Sequence, residues 1–289
     1  MHVTLLGTGS PIPYLERAGS SLVVHVDGEP YLVDCGPRTV YELVRNEIDP
    51  GLVRDLLFTH HHIDHNASFH HFAIASWTAG RDSLTVYGPS GTDRLLDALY
   101  SIYEEDLTYR ASVGYDIGGM EDIEWVPVDE TFHFERGGLA VTSLPVDHPI
   151  ETYAYRFENR DGDVLVFSAD TGKLDRLAEF ATGADVLIHD AHMSPVGEPP
   201  DDGFVWERYT RPYSGPAAAR LSETHCTPEQ AAETAAAADV GTLVLTHLPP
   251  YRDVEATYEA AAAVFDGEIH VAADGLTLPV GGPDSNGSS

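Results

Sequence analysis

The chain has almost no lysine. One of its 16 basic residues is lysine, Lys173, set against 47 acidic residues and a formal charge of -31 over 289 residues. So large a deficit of cations argues against ordinary electrostatic binding of a phosphate backbone. It does not exclude such binding, because adaptation to salt acidifies a surface whatever the function. The acidity runs through the whole chain rather than one tail. Charge of one sign repels itself in dilute salt, and at molar salt a screening length of about 3 Å removes the repulsion. The composition therefore reads as that of a protein adapted to a high-salt cytoplasm, the alternative being an acidic surface for a cationic partner.

Cysteine is also scarce. Cys35 and Cys226 are too few for a disulfide framework and fit a reducing compartment. Apolar runs are short, none near the roughly 18 residues of a membrane span, so no membrane partner is expected. The opening His2-Val3-Thr4-Leu5-Leu6 reads as a strand rather than a signal peptide, and the expected location is cytoplasmic.

What the chain has instead is histidine, concentrated in one place. Thr59-His60-His61-His62-Ile63-Asp64-His65 follows the apolar run Leu56-Leu57-Phe58, the end of a buried strand, and precedes Asn66-Ala67-Ser68-Phe69, the start of a helix. Loops of this kind hold functional side chains on a rigid scaffold. Imidazole and carboxylate in a short loop suit a divalent metal, zinc being the usual choice. His60 and His62 are two apart and share a side of an extended segment. Asp64 and His65 come after a bend and are free to aim at a second position.

Around this loop the sequence alternates strands with helices. Strands are expected at Val3–Leu6, at the hairpin around Asp27-Gly28, at Ser83–Tyr87, and near 123–128, 131–135, 139–146, 152–158, 163–168, 186–188, 243–245 and 268–272. Helices are expected over Arg38–Arg45, Thr92–Tyr103, from Thr227 to Ala238, and near 254–265. Thr227-Pro228-Glu229-Gln230 has the spacing of a capping box. Residues 104–122 read as acidic and irregular. Residues 193–224, with Phe204, Trp206, Tyr209 and Tyr213, read as a long loop that is either a lid or a surface excursion. The expected organisation is one metal-binding domain over 1–280 and a disordered tail over 281–289. Two sheets packed together and flanked by helices follow from this order. Gly7-Thr8-Gly9 lacks the third glycine of a dinucleotide fingerprint.

The loop resembles the His-x-His-x-Asp-His signature of the metallo-β-lactamase superfamily, which implies a four-layer αββα sandwich. The resemblance implies two divalent metal ions. His60, His62 and His148 would bind one, Asp64, His65 and His247 the other, and Asp170 would bridge them. His148, Asp170 and His247 each follow an apolar strand, so all seven positions hold the expected residue type. A metal pair lowers the pKa of a shared water and holds the attacking and leaving oxygens of a displacement, which suits an ester, amide or phosphodiester. Asp64 could also orient the water as a general base. His2, His25, His133 and His270 lie in strands and read as structural, without partners. His61, His70 and His71 read as supporting or surface residues.

Leu6-Gly7-Thr8-Gly9-Ser10-Pro11, Leu32-Val33-Asp34-Cys35-Gly36, Tyr87-Gly88-Pro89 and His225-Cys226-Thr227-Pro228-Glu229-Gln230 are similar to the ribonuclease Z branch with its arylsulfatase-like and phosphodiesterase relatives. That similarity makes His225 the general-acid candidate, neutral at a helix start where the dipole opposes a second charge. Many ribonucleases Z carry a long basic arm between the third histidine and the bridging aspartate. Here the interval from His148 to Asp170 has room for one hairpin only, and 104–122 is acidic. The expected substrate is therefore a small or modest-sized phosphodiester or sulfate ester, with RNA disfavoured. The alternatives are ribonuclease Z itself and a thioester hydrolase of the glyoxalase II type. A β-lactamase of the commonest subclass would want a cysteine ligand, and a flavodiiron-type protein a glutamate in the cluster. Neither is present. The oligomeric state, a homodimer among the options, and the roles of His189, Asp190 and His192 are left open by the sequence.

Overall fold

A computed structural model describes residues 1–198 and 216–282. The aromatic residues Phe204, Trp206, Tyr209 and Tyr213 and the tail beyond Gly282 lie outside the described residues. Two seven-stranded sheets form the centre. The first has the order β14-β1-β2-β3-β4-β5-β6, with β1 His2–Gly7, β2 Ser21–Val26, β3 Glu29–Val33, β4 Asp55–Leu57, β5 Leu84–Gly88, β6 Ile123–Pro127 and β14 Leu276–Pro279. The second has the order β13-β12-β11-β10-β9-β8-β7, with β7 His133–Arg136, β8 Leu139–Pro145, β9 Tyr153–Asn159, β10 Val164–Phe167, β11 Val186–Asp190, β12 Thr242–Thr246 and β13 Glu268–Val271.

The side-chain period of two decides the layering. Val3 and Leu5, Leu22 and Val24, and Tyr31 and Val33 point between the sheets, against Tyr155, Phe157, Leu165, Phe167 and Ile188. Leu6, Val23, Leu32 and Leu56 point outward, onto helices α1 (Thr39–Arg45), α3 (Phe69–Thr78) and α4 (Thr92–Ser112). On the far side Val166, Leu187, Leu243 and Leu245 meet α6 (Asp175–Phe180), α8 (Pro228–Ala238) and α9 (Val254–Ala262). Each sheet thus has one face in the central core and one under helices, the expected αββα order. Burying one such aliphatic side chain stabilises by about 1.5–3 kcal/mol. The short helices α2 (Ile63–Asn66) and α5 (Gly118–Glu121), the helix α7 (Pro216–Thr224) and a 3-10 turn at Pro50–Leu52 complete the described elements. No described helix is long and apolar enough to cross a membrane.

Three expectations fail here. Residues 104–122 are not irregular, since α4 continues to Ser112 and α5 follows. Leu96, Leu99, Tyr103 and Leu107 form a helical stripe packed on the outer core, and the acidic residues between them face solvent, so charge density hid a helix. Residues 193–224 contain α7 at their end. The chain closes not with β13 but with β14, whose Leu276 and Leu278 alternate onto the central core beside β1. The expected pairing of β2 with β3 as a hairpin is observed.

Strands β3, β4 and β5 run parallel to one another, and so do β10, β11 and β12. The histidine-rich loop leaves the carboxyl end of β4. His148 follows β8, Asp170 follows β10 and His247 follows β12 directly. Bonds that join the sheets at this edge include Tyr155 Oη to the Phe58 carbonyl (2.7 Å), Tyr153 N–H to the Thr59 carbonyl (3.1 Å) and Leu248 N–H to the Thr8 carbonyl (2.8 Å).

Candidate metal centre

The loop after β4 is held from beneath. Cys35 N–H donates to the His65 carbonyl (2.7 Å) and Ser68 N–H to the Cys35 carbonyl (2.9 Å). A side chain at Gly36 would place its Cβ 2.0 Å from the Asp64 carbonyl oxygen, so only glycine lets the two segments meet. Gly172 has the same role opposite, where a Cβ would sit 2.2 Å from the Glu223 carbonyl. Asp34, Ala169 and His247 have φ of 58°, 56° and 61°. These left-handed conformations are costly for non-glycine residues and cluster at functional sites. All three turn the chain at the end of a strand toward the same edge.

The structure brings together all seven residues singled out in the sequence. His62 Nδ1 lies 3.2 Å from His60 Nε2 and 3.1 Å from His148 Nε2. Asp170 Oδ2 lies 3.2 Å from His247 Nε2, 3.4 Å from His65 Nε2 and 3.7 Å from His60 Nε2. Asp64 Oδ2 lies 3.7 Å from His65 Nε2 and 3.9 Å from His247 Nε2. Donor atoms of His60, His62, His148 and Asp170 converge as one group, and those of Asp64, His65 and His247 as another. Asp170 reaches into both. His60, Asp64, His65, Asp170 and His247 are buried.

Two features say that these groups suit cations. Asp64 Oδ2 and His65 Nε2 are buried with no hydrogen-bond partner among the described residues, an arrangement that costs about 1–3 kcal/mol for each group. Second, the outer nitrogens are occupied so that the inner ones point inward. His65 Nδ1 donates to Asp34 Oδ2 (2.7 Å), and His148 Nδ1 to the Thr224 carbonyl (3.2 Å). Asp34 is itself fixed by the Thr59 N–H (2.8 Å) and hydroxyl (2.9 Å to Oδ2). A carboxylate behind a metal-facing histidine is the usual way to set its tautomer and raise its basicity.

The charges follow the neighbours. Burial, with the charge of His65 next, holds His60 well below the ordinary imidazole value. Burial would lower His65 too, but Asp170, Asp34 and Asp64 outweigh it and raise His65 well above. Burial would raise Asp170, but His247, His65 and His60 hold it well below the usual carboxylate range.

His225 stands outside both groups and beside them. It opens the turn between α7 and α8. The expected capping box fixes the start of α8, with Gln230 N–H on Thr227 Oγ1 (3.3 Å) and Thr227 N–H on Gln230 Oε1 (3.0 Å). The His225 ring is 5.2 Å from His148 and 5.4 Å from His247, centroid to centroid. Its Nδ1 donates to Asp190 Oδ2 (2.9 Å). Burial pushes His225 down, yet Asp190 outweighs it and raises the ring to about 9. The neutral His225 expected from the helix dipole is thus corrected, since a carboxylate at hydrogen-bond distance outweighs a helix end.

Sequence reasoning missed Asp34 and left Asp190 without a role. Both carried a signal: Asp34 directly follows β3 and Asp190 is the last residue of β11, the same strand ends from which Asp170 and His247 come. His189 is buried, with Nδ1 donating to the Asp190 carbonyl (2.9 Å), and joins neither group. His61 bonds Thr92 Oγ1 (2.8 Å) and His70 the Leu95 carbonyl (3.2 Å), supporting positions as expected. The other strand histidines do have partners. His2 stacks on His25 at 4.4 Å, and His133 and His270 lie 3.3 and 3.0 Å from Glu135 and Glu268.

Comparison with known proteins agrees with this geometry. Residues 30–248 match the Beta-lactamase superfamily domain. A protein named Ribonuclease Z from Mycobacterium sp. (strain KMS) is 35% identical over 95% of this chain and 94% of its own length. The chain belongs to the metallo-β-lactamase superfamily, in its ribonuclease Z branch. Within that superfamily the fold is shared with YhfI from Bacillus subtilis (TM-score 0.72, 22% identity, 96% of this chain and 98% of that one). It is shared also with the short form of human tRNase Z (TM-score 0.69, 21% identity, 97% and 100%). As a superfamily member of this branch the protein is a hydrolase of the phosphodiesterase type.

Proposed function

We propose that the protein is a two-metal phosphodiesterase of the ribonuclease Z type, acting on RNA. The observation that carries this reading is the pairing of a complete double ligand set with His225–Asp190 at its edge. His60, His62 and His148 would hold one ion and Asp64, His65 and His247 the second, with Asp170 between. Imidazole and carboxylate donors favour zinc. When bound, such ions lower the pKa of water and offset charge on a phosphate. The chain supplies the rest. Asp64 offers a carboxylate oxygen to take the proton of the attacking water. As the P–O bond breaks, the proton on the His225 ring passes to the leaving oxygen, and Asp190 holds the ring oriented throughout. A thiolate leaves without a proton, so a thioester hydrolase would have little use for the His225–Asp190 pair.

The relatives named ribonuclease Z move RNA ahead of the small ester favoured from the sequence. One observation keeps the small phosphodiester as a second reading. The hairpin of β9 and β10 fills the interval from His148 to Asp170, and residues 104–122 carry Glu104, Glu105, Asp106, Asp116, Glu121 and Asp122 against Arg110. No basic arm stands among the described residues in either place. Incubation in molar salt with a precursor tRNA and, separately, with bis(p-nitrophenyl) phosphate decides between them. Endonucleolytic cleavage at one 3′ position supports the RNA reading. Turnover of the small ester with intact precursor overturns it.

A further inference from the structure

His192 has no part in the reading above, yet it is buried against both His225 and His247. The three rings lie nearly parallel. His192 and His225 are 4.3 Å apart at 21°, His192 and His247 5.1 Å at 29°, and His225 and His247 5.4 Å at 9°. Their donor atoms lie close enough to suggest a third metal site. The ring planes argue otherwise. An ion bound by an imidazole lies near the plane of its ring, about 2.0–2.1 Å from the nitrogen. The tightest pair, His192 on His225, is stacked, and a stacked pair shares no such point. What the trio does share is a flat wall. The His192 backbone N–H donates to Asp190 Oδ1 (2.9 Å), while Asp190 Oδ2 accepts from His225 Nδ1 (2.9 Å). The same carboxylate thus ties the backbone of His192 to the ring of His225. Two other N–H groups hold that oxygen, from Thr171 (3.3 Å) and Cys226 (3.4 Å), so the carboxylate has little room to turn.

We propose that His192 is a positioning residue for proton donation: its ring packs on the face of His225 and keeps that ring in the plane set by Asp190. Held only by its bond to Cβ and one hydrogen bond at Nδ1, the imidazole can still rock about the line between those two anchors. The bond fixes where the ring starts but not where Nε2 points. A second flat ring at stacking distance removes that swing on one face. His148, standing edge-on at 77°, limits it from another side. The wall also touches His247, a proposed ligand, so metal content separates support of that ligand from support of the donor.

This inference rests on the donor role of His225, so both residues are tested together. The variants are His192→Ala, His192→Phe and His225→Ala. The substrates are an RNA phosphodiester, whose alkoxide needs a proton, and bis(p-nitrophenyl) phosphate, which leaves unaided. Metal equivalents are measured on every variant. Aromatic packing beyond simple burial is worth about 0.5–1.5 kcal/mol, so His192→Ala should slow the RNA about tenfold. That loss should fall in kcat, with KM, nitrophenyl turnover and metal content unchanged. His192→Phe restores a flat ring and should return the RNA rate to within about threefold of the parent. Equal loss on both substrates, or loss of metal, would assign the ring to support of His247 and overturn the proposal. A His192→Phe protein as slow as His192→Ala would overturn it too, since the ring nitrogens would then matter rather than the plane. If His225→Ala is selective and His192→Ala is not, only this inference fails. If His225→Ala shows no selectivity, the donor role fails and this inference with it.

Discussion

Histidines stand at both ends of the sheet sandwich, and the two ends treat them differently. At the start of β1 and near the end of β2, His2 and His25 stack on each other. Burial, with the charge of His2 second, lowers His25 to about 4. At the opposite end of the strands lie His60, His62, His65, His148 and His247 around Asp64 and Asp170. There one imidazole is driven well below its ordinary value and its neighbour well above it. Burial acts on both ends. The difference is carboxylate: Asp34, Asp64 and Asp170 converge on His65, whereas burial and another histidine set the state of His25. A buried imidazole is discharged by default, and it keeps a charge or calls for a cation only where carboxylates are built in behind it.

Removing the shared carboxylate should erase that contrast with the largest effect. Asp170→Ala takes away the group within 3.7 Å of three ring nitrogens. Elemental analysis of the parent should approach two metal equivalents per chain, and the variant should fall below one. Phosphodiester turnover should drop by at least about 10⁴-fold, the upper end of what loss of an acid alone typically costs. A variant that keeps both equivalents would show that Asp170 is not the shared ligand.

His225→Ala tests the second carboxylate-backed imidazole. General acid catalysis is typically worth roughly 10²–10⁴-fold, and that loss should appear on the RNA and not on the nitrophenyl ester. Metal content should stay at two. Next in size is Asp34→Asn, which leaves the shape behind His65 but removes the charge. Loss of such a partner typically lowers metal affinity about 10–100-fold, readable as earlier release in a chelator titration. Unchanged release would mean that the Thr59 and His65 contacts are only packing.

The sequence carried the carboxylate-rich end better than the opposite one. His60–His65 is a contiguous signal, and His148, Asp170 and His247 each stand where an apolar strand stops, so a family pattern and strand ends together sufficed. Asp190 and Asp34 obey the same strand-end logic, but nothing in the chain says which of two converging acids meets which histidine. That pairing is a matter of three-dimensional distance. His192 was opaque for a related reason, since its contacts are the faces of rings brought from β12 and from the turn after α7. The helix α4 was misread at its end because acidic density was taken for disorder while Tyr103 and Leu107 continued the apolar stripe. β14 went unseen because a four-residue strand needs β1 beside it to be a strand at all.

The smallest effect expected lies at the opposite end, and it asks whether burial alone discharges His25. The folded ring has a value of about 4 against an ordinary 6.5. As pH falls through 6.5 the unfolded chain takes up a proton that the folded chain refuses until about 4. Stability contributed by the neutral ring is therefore complete above 6.5 and is lost progressively down to 4. The full shift would correspond to several kcal/mol. Solvent reaches part of the ring, so the realised term is about 1–2 kcal/mol. His25→Phe keeps a flat ring against His2 and removes the titration. Urea midpoints at pH 7 and pH 4.5, taken for both proteins in molar salt, isolate the term by difference. The metal centre titrates over the same interval in parent and variant alike and cancels. The variant should lose about 1–2 kcal/mol less than the parent between the two pH values. Equal losses would mean that His25 takes up its proton in the folded state without penalty. The contrast between the two ends would then rest on the carboxylates alone.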